Sequence, residues 1–122
     1  MVDSWNDLEV YQNSFELQRK VFVLSRKWPA EERYALTDQI RRSSRSISSN
    51  LAEAWAKRRY PAHFLSKLAD SDGELQETLH WLRTAYDCGY IDPPISAELA
   101  ELTDLIGKQL GTVINKYESF CF

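Results

Sequence analysis

The chain has 122 residues and a formal net charge of −3, from 15 Lys and Arg against 18 Asp and Glu. This length suits one domain with its own core, and 43% hydrophobic with 27% charged residues excludes an intrinsically disordered chain. Only four Gly and four Pro argue against an all-β fold with many turns, and the slightly acidic balance excludes a uniformly basic nucleic-acid coat.

The first predicted helix, over residues 7–27, carries two apolar stripes instead of one. At roughly 100° per residue, the two stripes are centred about 120° apart. A single stripe is enough for a simple bundle, so the other predicts contact with a second surface, inside the subunit or between subunits. One stripe consists of Leu8, Tyr11, Phe15 and Phe22, and the other of Val10, Leu17, Val21, Leu24 and Trp28.

A second helix is predicted over residues 31–58, after the break at Trp28-Pro29. Its apolar positions follow a 4-3-4 spacing, which is typical of helices packed at small crossing angles. The spacing continues through the Arg/Ser-rich tract at residues 41–50, so we predict helix there although the composition resembles a disordered tract. These positions are Leu36, Ile40, Ser44, Ile47, Leu51 and Ala54.

Two more helices are predicted over residues 61–88 and 95–119. Pro61 suits the first turn of the third helix, and Gly89 suits the position just after its end. No segment alternates with a period of two for long enough to predict a strand. Short connections between four long helices predict an all-α, antiparallel up-down-up-down four-helix bundle, a single domain over residues 1–122.

The chain offers little for catalysis or metal binding. Glu77-x-x-His80 has the spacing found in di-iron bundles, but such a site needs this motif on two helices and the chain has it once. A calcium loop counted from Gly73 would place Leu68 and Leu79 at ligand positions, which excludes an EF-hand. We therefore expect no enzyme activity, no catalytic residues, no metal and no cofactor.

The sequence also bears on the cellular compartment. The first seven residues show neither the basic nor the apolar region of a signal peptide, and no stretch approaches about 18 apolar residues. Cys88 and Cys121 are far apart and lack the spacing of a zinc site, so we expect free thiols. These features predict a cytoplasmic protein without a membrane partner.

Four tryptophans are many for this length. Trp55 and Trp81 lie beside the apolar stripes of their helices, and aromatic residues are enriched at subunit interfaces. We expect both at an oligomer interface, together with Val10, Leu17 and Val21 of the first helix. The alternative for the two tryptophans is a place on the surface or at the edge of the core.

Charge is distributed unevenly along the chain. Residues 39–60 hold six basic residues and one acidic residue, a balance of +5, whereas residues 61–122 hold four and ten, a balance of −6. The basic segment predicts a site for nucleic-acid phosphates, above all where an oligomer repeats it. The alternative, which we favour, is pairing with the acidic third helix and stabilisation of the end of helix two. The six residues are Arg41, Arg42, Arg45, Lys57, Arg58 and Arg59.

Several motifs resemble the bacterial four helix bundle protein family, some of whose members are encoded within intervening sequences of large-subunit ribosomal RNA genes. They include Leu8-Glu9-Val10-Tyr11-Gln12, Gln39-Ile40-Arg41-Arg42-Ser43 and Cys88-Gly89-Tyr90-Ile91. The resemblance covers residues 7–92 strongly. It implies a four-helix bundle that assembles into a ring-like homopentamer. Relatives that assist retroelement reverse transcriptases use a similar barrel with a basic surface to contact nucleic acid and protein.

Two functions of different classes are consistent with these features. The first is a non-enzymatic accessory that binds RNA or DNA through the basic segment, repeated around a ring. The second is a structural or adaptor protein that binds a protein partner through its Trp-bearing surfaces and the acidic third helix. Whether the arginines at 41, 42 and 45 are paired with carboxylates bears directly on this choice.

Overall fold

The computed structural model describes residues 3–122 and shows only helices and connecting turns in that range. The all-α class predicted from the sequence is confirmed, and the long helices pack together as a bundle. These helices are α1 (Glu9–Ser25), α2 (Asp38–Ala56), α3 (Pro61–Asp87) and α4 (Pro93–Asn115), followed by the one-turn helix α5 (Tyr117–Phe120).

The connection from α1 to α2 differs from the helix predicted over residues 31–58. Ala30–Glu32 forms a 3-10 turn and Arg33–Thr37 forms a π-helical turn, so regular α-helix begins only at Asp38. All three helix types turn by a similar number of residues, and a single turn of apolar spacing does not separate them. The apolar pattern therefore extended the α-helix over the two preceding turns.

The end of α3 is closed by a glycine motif. Gly89 has a φ of 80°, a left-handed conformation that favours glycine because it has no Cβ. The Tyr90 amide donates to the carbonyl oxygen of Ala85 at 2.9 Å, and the Gly89 amide donates to that of Tyr86 at 3.0 Å. Both bonds satisfy carbonyls that the helix end leaves open, which is the Schellman arrangement.

The core is built from all four long helices and runs along the bundle. Removing this apolar surface from water, at about 25 cal/mol per Å², supplies the main force that holds the helices together. Its innermost members include Leu17 and Val21 of α1, Ile40, Ile47 and Leu51 of α2, Leu68 and Leu75 of α3, and Ile106 and Leu110 of α4.

The helices α2 and α3 are in close contact because small hydroxyl residues lie between them. Ser71 is fully buried, and its hydroxyl donates to the Ile47 carbonyl oxygen at 2.8 Å. Thr78 Oγ1 lies 2.8 Å from Ser43 Oγ across the same seam. These contacts explain why small polar residues occupy buried positions of this seam: each is small enough to fit and finds a hydrogen-bond partner there.

Candidate functional site

The three arginines in the first half of α2 point in different directions. A spacing of four places Arg41 and Arg45 on nearly the same side of the helix, whereas Arg42 lies about 100° from Arg41. Arg41 and Arg45 reach towards α1, and Arg42 reaches towards α3. Because of this divergence, the basic segment is only partly available to a ligand.

Arg42 is paired with the acidic third helix. Its Nη1 lies 2.9 Å from Glu74 Oε2, and its Nη2 contacts Glu77 Oε2. Trp81 Nε1 donates to the same Glu77 oxygen at 3.1 Å. The bond from Trp81, and after it the Arg42 guanidinium, hold the pKa of Glu77 below its ordinary value of 4.5, against the opposing effect of burial. Arg42 is therefore a link between two helices.

Arg41 and Arg45 surround an exposed aromatic ring of α1. The guanidinium carbons of Arg41, Arg45 and Arg26 lie 4.7, 5.6 and 5.4 Å from the centre of the Phe22 ring. Arg41 is further held by its Nε, which donates to Ser25 Oγ at 2.8 Å. We call Phe22, Arg26, Arg41 and Arg45 the Phe22 cluster. In the described part of the chain, none of its arginines forms an ion pair.

A second group of arginines and rings lies where α2 ends. The guanidinium carbon of Arg58 is 3.6 Å from the centre of the Trp55 ring and 5.1 Å from that of Phe122. Arg58 Nε donates to the Trp55 carbonyl oxygen at 2.9 Å, and Arg59 lies 6.0 Å from the Phe122 ring. We call Trp55, Arg58, Arg59 and Phe122 the Phe122 cluster.

The basic residues at this end of α2 also keep their charge unpaired. Over residues 3–122, no ion pair involves Lys57, Arg58 or Arg59. Among the six predicted basic residues, Arg42 is thus the one that forms an ion pair within residues 3–122, and Lys57 acts on Glu53 from a longer distance. We expected the arginines of helix two to pair with carboxylates of the third helix. Within residues 3–122, Arg42 does so, whereas Arg41 and Arg45 do not.

The surface of α2 between the two clusters carries small side chains. Ser49, Ala52 and Ala56 continue the side on which Arg41 and Arg45 project, and each is exposed or half-buried. The neighbouring surface of α1 presents Tyr11 and Phe15, whose ring centres are 6.0 Å apart, and Arg19 lies 4.9 Å from the Phe15 ring. Aromatic groups and an arginine of α1 therefore lie beside small side chains of α2 on this surface.

The residues predicted for the oligomer interface have a different place. Val10, Leu17 and Val21 are 3%, 0% and 1% exposed, because this stripe of α1 packs into the subunit's own core. Trp55 is buried as well, at 9% exposure. Trp81 is half-buried and bonded to Glu77. The outward stripe of α1 is instead the one that contains Tyr11, Phe15 and Phe22.

A groove of about 360 Å³ lies between α1 and α4, and Arg19 borders both this groove and the α1–α2 surface. Its floor includes Val23 and Ile95, which are 53% and 38% exposed. Lys20 Nζ donates to Glu98 Oε1 at 2.8 Å across its rim. This ion pair raises the pKa of Lys20 above its ordinary value.

Three further observations concern residues 3–122. No group of three or more His, Cys, Asp and Glu side chains is placed to hold a metal ion. None of the helices in this range has both the length and the apolar character that crossing a membrane requires. Cys88 is exposed and Cys121 half-buried, and both are free thiols.

Comparison with known proteins places the chain in a family. The family model described as 23S rRNA-intervening sequence protein matches residues 6–112. The chain belongs to this family. The resemblance inferred from the motifs of residues 7–92 is thereby confirmed.

A solved structure supports the relationship of this intervening sequence protein at the level of the fold. It is the crystal structure of a protein of unknown function from the S23 ribosomal protein family of Bacteroides thetaiotaomicron VPI-5482. The two share 27% sequence identity with a TM-score of 0.78, over 87% of this chain and 95% of that chain. No curated protein matches the chain.

Sequence reasoning missed Phe22, Arg26 and Phe122 as members of the two clusters. The charge balance of residues 39–60 reflects only neighbours in sequence, whereas Phe22 lies in α1, Arg26 directly follows it and Phe122 lies after α4. One signal was available: Arg26 continues the helical turn of α1 and is four residues from Phe22, so the two share a side. Phe122 lies outside the residues that match the family model.

Proposed function

We propose that this protein is a non-enzymatic accessory that binds RNA along the exposed surface of α1 and α2. The observation that carries the proposal is the pair of arginine–aromatic clusters at opposite ends of α2, neither of which has a carboxylate partner within residues 3–122. The family description names intervening sequences of 23S rRNA, so RNA is the polyanion that we propose first.

The chemistry of these clusters suits a nucleic acid. Guanidinium groups bind phosphate oxygens through two N–H donors at once, and release of counterions from the RNA drives this binding. Aromatic rings beside them offer faces on which bases stack. An arginine held over a ring, as Arg41 is over Phe22, keeps its charge and loses less side-chain freedom when a phosphate arrives.

The two clusters are far enough apart to hold several nucleotides. Arg41 and Ala56, the last residue of α2, are 15 positions apart, which corresponds to about 22 Å at a helical rise of 1.5 Å per residue, and Arg58 lies two residues beyond. Ser49, Ala52 and Ala56 place only small side chains on the Arg41 side of α2 up to the end of this helix. One RNA strand would thus contact both ends of α2.

We further propose that the subunit is an antiparallel up-down-up-down bundle. Contacts that join neighbouring helices support this topology, because rising residue numbers on one helix meet falling numbers on the next. The contacts are Ser25 with Arg41 and Gln18 with Ser48 between α1 and α2, Ser43 with Thr78 and Glu53 with Lys67 between α2 and α3, and Asn13 with Gln109 and Lys20 with Glu98 between α1 and α4.

The subunit is also proposed to assemble into a ring-like homopentamer. Exposed apolar side chains on the α1–α4 side support self-association: Val23 at 53%, Leu105 at 44% and Ile95 at 38% exposure. They lie away from Arg41 and Arg45, so an interface there leaves the basic surface open. Five copies of one weak basic surface bind a long RNA more tightly than one copy does, since later contacts form within the complex.

The test of RNA binding removes the two unpaired arginines of α2. We expect Arg41→Gln/Arg45→Gln to weaken binding of a fluorescent RNA about tenfold or more in anisotropy titrations at low salt. The slope of log affinity against log salt should fall by about two, because two phosphates of the RNA are no longer neutralised.

A matched control removes the same charge elsewhere. Arg83 and Lys108 are exposed on α3 and α4, and Arg83→Gln/Lys108→Gln should bind RNA nearly as well as the wild type does. An equal decrease in RNA affinity for both double variants would show that only the net charge matters, and would contradict a binding site at Arg41 and Arg45. Failure of the wild type to bind RNA at low salt would contradict the function, and a stoichiometric protein partner that resists nuclease would support the adaptor alternative.

A further inference from the structure

We infer that the RNA is single-stranded where it meets the Phe122 cluster, and that an unpaired base stacks there on the Phe122 ring. The inference rests on the function proposed above and names the form of RNA that this surface recognises. It separates the roles of the two clusters, one binding a base and the other binding phosphate.

The Phe122 ring is available for stacking. Its side chain is 73% exposed, the highest exposure among the exposed large hydrophobic residues of the structure. The Arg58 guanidinium carbon lies over both aromatic rings of the cluster, 3.6 Å from the centre of Trp55 and 5.1 Å from that of Phe122. A base stacked on the exposed Phe122 ring would lie beside this guanidinium.

The platform is held in place by a neighbouring residue. Phe120 packs against the buried rings of Trp55 and Phe64, with ring centres 6.5 and 6.2 Å away. The Cys121 amide donates to the Glu118 carbonyl oxygen at 3.1 Å, which fixes the backbone between the two phenylalanines. The two residues before Phe122 are therefore held against the bundle, which reduces the ordering that stacking on Phe122 requires.

Positive charge beside the ring is suited to the phosphate that accompanies a base. Arg59 lies 6.0 Å from the Phe122 ring and is exposed, as is Lys57. Neither has an ion-pair partner in the part of the chain that the structure describes. A nucleotide that places its base on Phe122 can thus place its phosphate against Arg59.

The Phe22 cluster is less suited to stacking. Phe22 is only 37% exposed, and the guanidinium groups of Arg26, Arg41 and Arg45 already lie against its ring. A phosphate can approach these groups from outside without displacing them. The selection of unpaired bases therefore belongs to Phe122, because duplex RNA keeps its base faces stacked inside the helix and presents mainly phosphates and hydroxyls.

The experiment compares a single-stranded RNA of about 12 nucleotides with a duplex of the same length. Anisotropy titrations would use the full chain, Phe122→Ala and Phe122→Trp. We expect Phe122→Ala to bind the single strand about tenfold more weakly than the wild type does and to keep the wild-type affinity for the duplex. Phe122→Trp should keep the wild-type affinity for the single strand, because its ring can also stack on a base.

Tyr34→Ala is the matched control. Tyr34 is 72% exposed and lies 5.3 Å from a guanidinium, that of Arg33, but stands at the other end of α2. Tyr34→Ala should leave the affinities for single-stranded and duplex RNA unchanged. Because Phe122 is so exposed, its replacement should leave the thermal unfolding transition unchanged, which circular dichroism would verify.

The outcomes separate this inference from the function on which it rests. Unchanged single-strand affinity in Phe122→Ala, with weaker binding in Arg41→Gln/Arg45→Gln, overturns the stacking role and leaves the proposed RNA surface intact. An equal decrease in affinity for single strand and duplex also overturns it, since that pattern reports a general contact. Absence of RNA binding by the wild type overturns both.

Discussion

Two adjacent arginines of α2 have different environments because a helix turns by about 100° at each residue. Arg41 lies over Phe22 and donates to Ser25, whereas Arg42 contacts two carboxylates of α3. Residue type and local charge density are the same for both. The difference is the helix that each side chain faces. Arg41 faces α1 and stays available for phosphate, whereas Arg42 faces α3 and pairs with its carboxylates.

The pairing of Arg42 predicts how stability depends on pH. The pKa of Glu77 is lower in the folded protein than its ordinary 4.5, so Glu77 stabilises the fold above that pH and loses its contribution as pH falls through the lowered value. Glu77→Gln should reduce the free energy of unfolding at neutral pH by at most about 1 kcal/mol, since the pair is partly exposed.

The measurement is urea unfolding of the wild type and Glu77→Gln at several pH values. The difference between the two should shrink as the medium becomes acidic. Glu101→Gln, at an exposed position of α4, serves as the comparison and should show little difference at any pH. A difference for Glu77→Gln that grows on acidification would contradict a lowered pKa in the folded protein.

Trp28 offers a second residue-level prediction. It is 8% exposed, and within residues 3–122 its indole N–H has no hydrogen-bond partner. An unsatisfied buried donor costs about 1–3 kcal/mol, and phenylalanine removes that cost while keeping most of the ring. Trp28→Phe should therefore lower stability by less than about 1 kcal/mol, against about 3–5 kcal/mol for Trp28→Ala. Equal midpoint shifts of the two variants in urea would contradict this expectation.

At the scale of elements, the seam between α2 and α3 depends on small side chains. Ser71 is 0% exposed, and its hydroxyl donates to a carbonyl of the facing helix. The seam therefore tolerates removal of a hydroxyl better than it tolerates added volume, because closely packed helices have no room to accommodate a larger side chain.

Close packing at this seam predicts an order among three variants of α3. Ser71→Ala should cost about 1 kcal/mol, the value of one buried hydrogen bond. Ser71→Leu should cost more, about 1–3 kcal/mol of overpacking in addition. Ser66→Leu, at an exposed position of the same helix, should stay within about 0.5 kcal/mol of the wild type. Chemical unfolding would show the order, and a Ser71→Leu variant as stable as Ser71→Ala would refute tight packing.

At the scale of the whole molecule, the net charge of −3 combines a balance of −2 over residues 1–38, +5 over residues 39–60 and −6 over residues 61–122. Such separation lets a protein with an acidic average present a local basic surface. In a closed ring the same surface would recur once per subunit. The number of basic surfaces that one assembled particle offers to RNA therefore depends on how many subunits it contains.

Light scattering tests the proposed assembly directly. We expect a mass of about five times the 14.2 kDa subunit. Val23→Asp/Ile95→Asp places charge on the exposed apolar residues of α1 and α4, and should shift the mass towards a single subunit, since an unpaired buried carboxylate is costly. A wild-type monomer at micromolar concentration would contradict the assembly.

The sequence by itself determined the all-α class, the order of the helices and the family. Periodic apolar positions such as Ile40, Ile47 and Leu51 identify a core-facing stripe because helix geometry is local and repeats every 3.6 residues. Proline at the start of α3 and glycine after its end mark its limits for the same local reason. The turns at residues 30–37 were missed, since 3-10, π and α turns share this signal.

Only the tertiary structure decided which charges and rings meet. Phe22 reaches Arg41 across 19 positions, and Phe122 reaches Arg58 across 64 positions of the sequence. No local pattern encodes such distances, because they depend on how whole helices pack. The same packing placed Val10, Leu17 and Val21 in the subunit core and left the other stripe of α1 outside. The sequence determined the sign of the charge at Arg41, Arg42 and Arg45, and packing decided which of the three remained available.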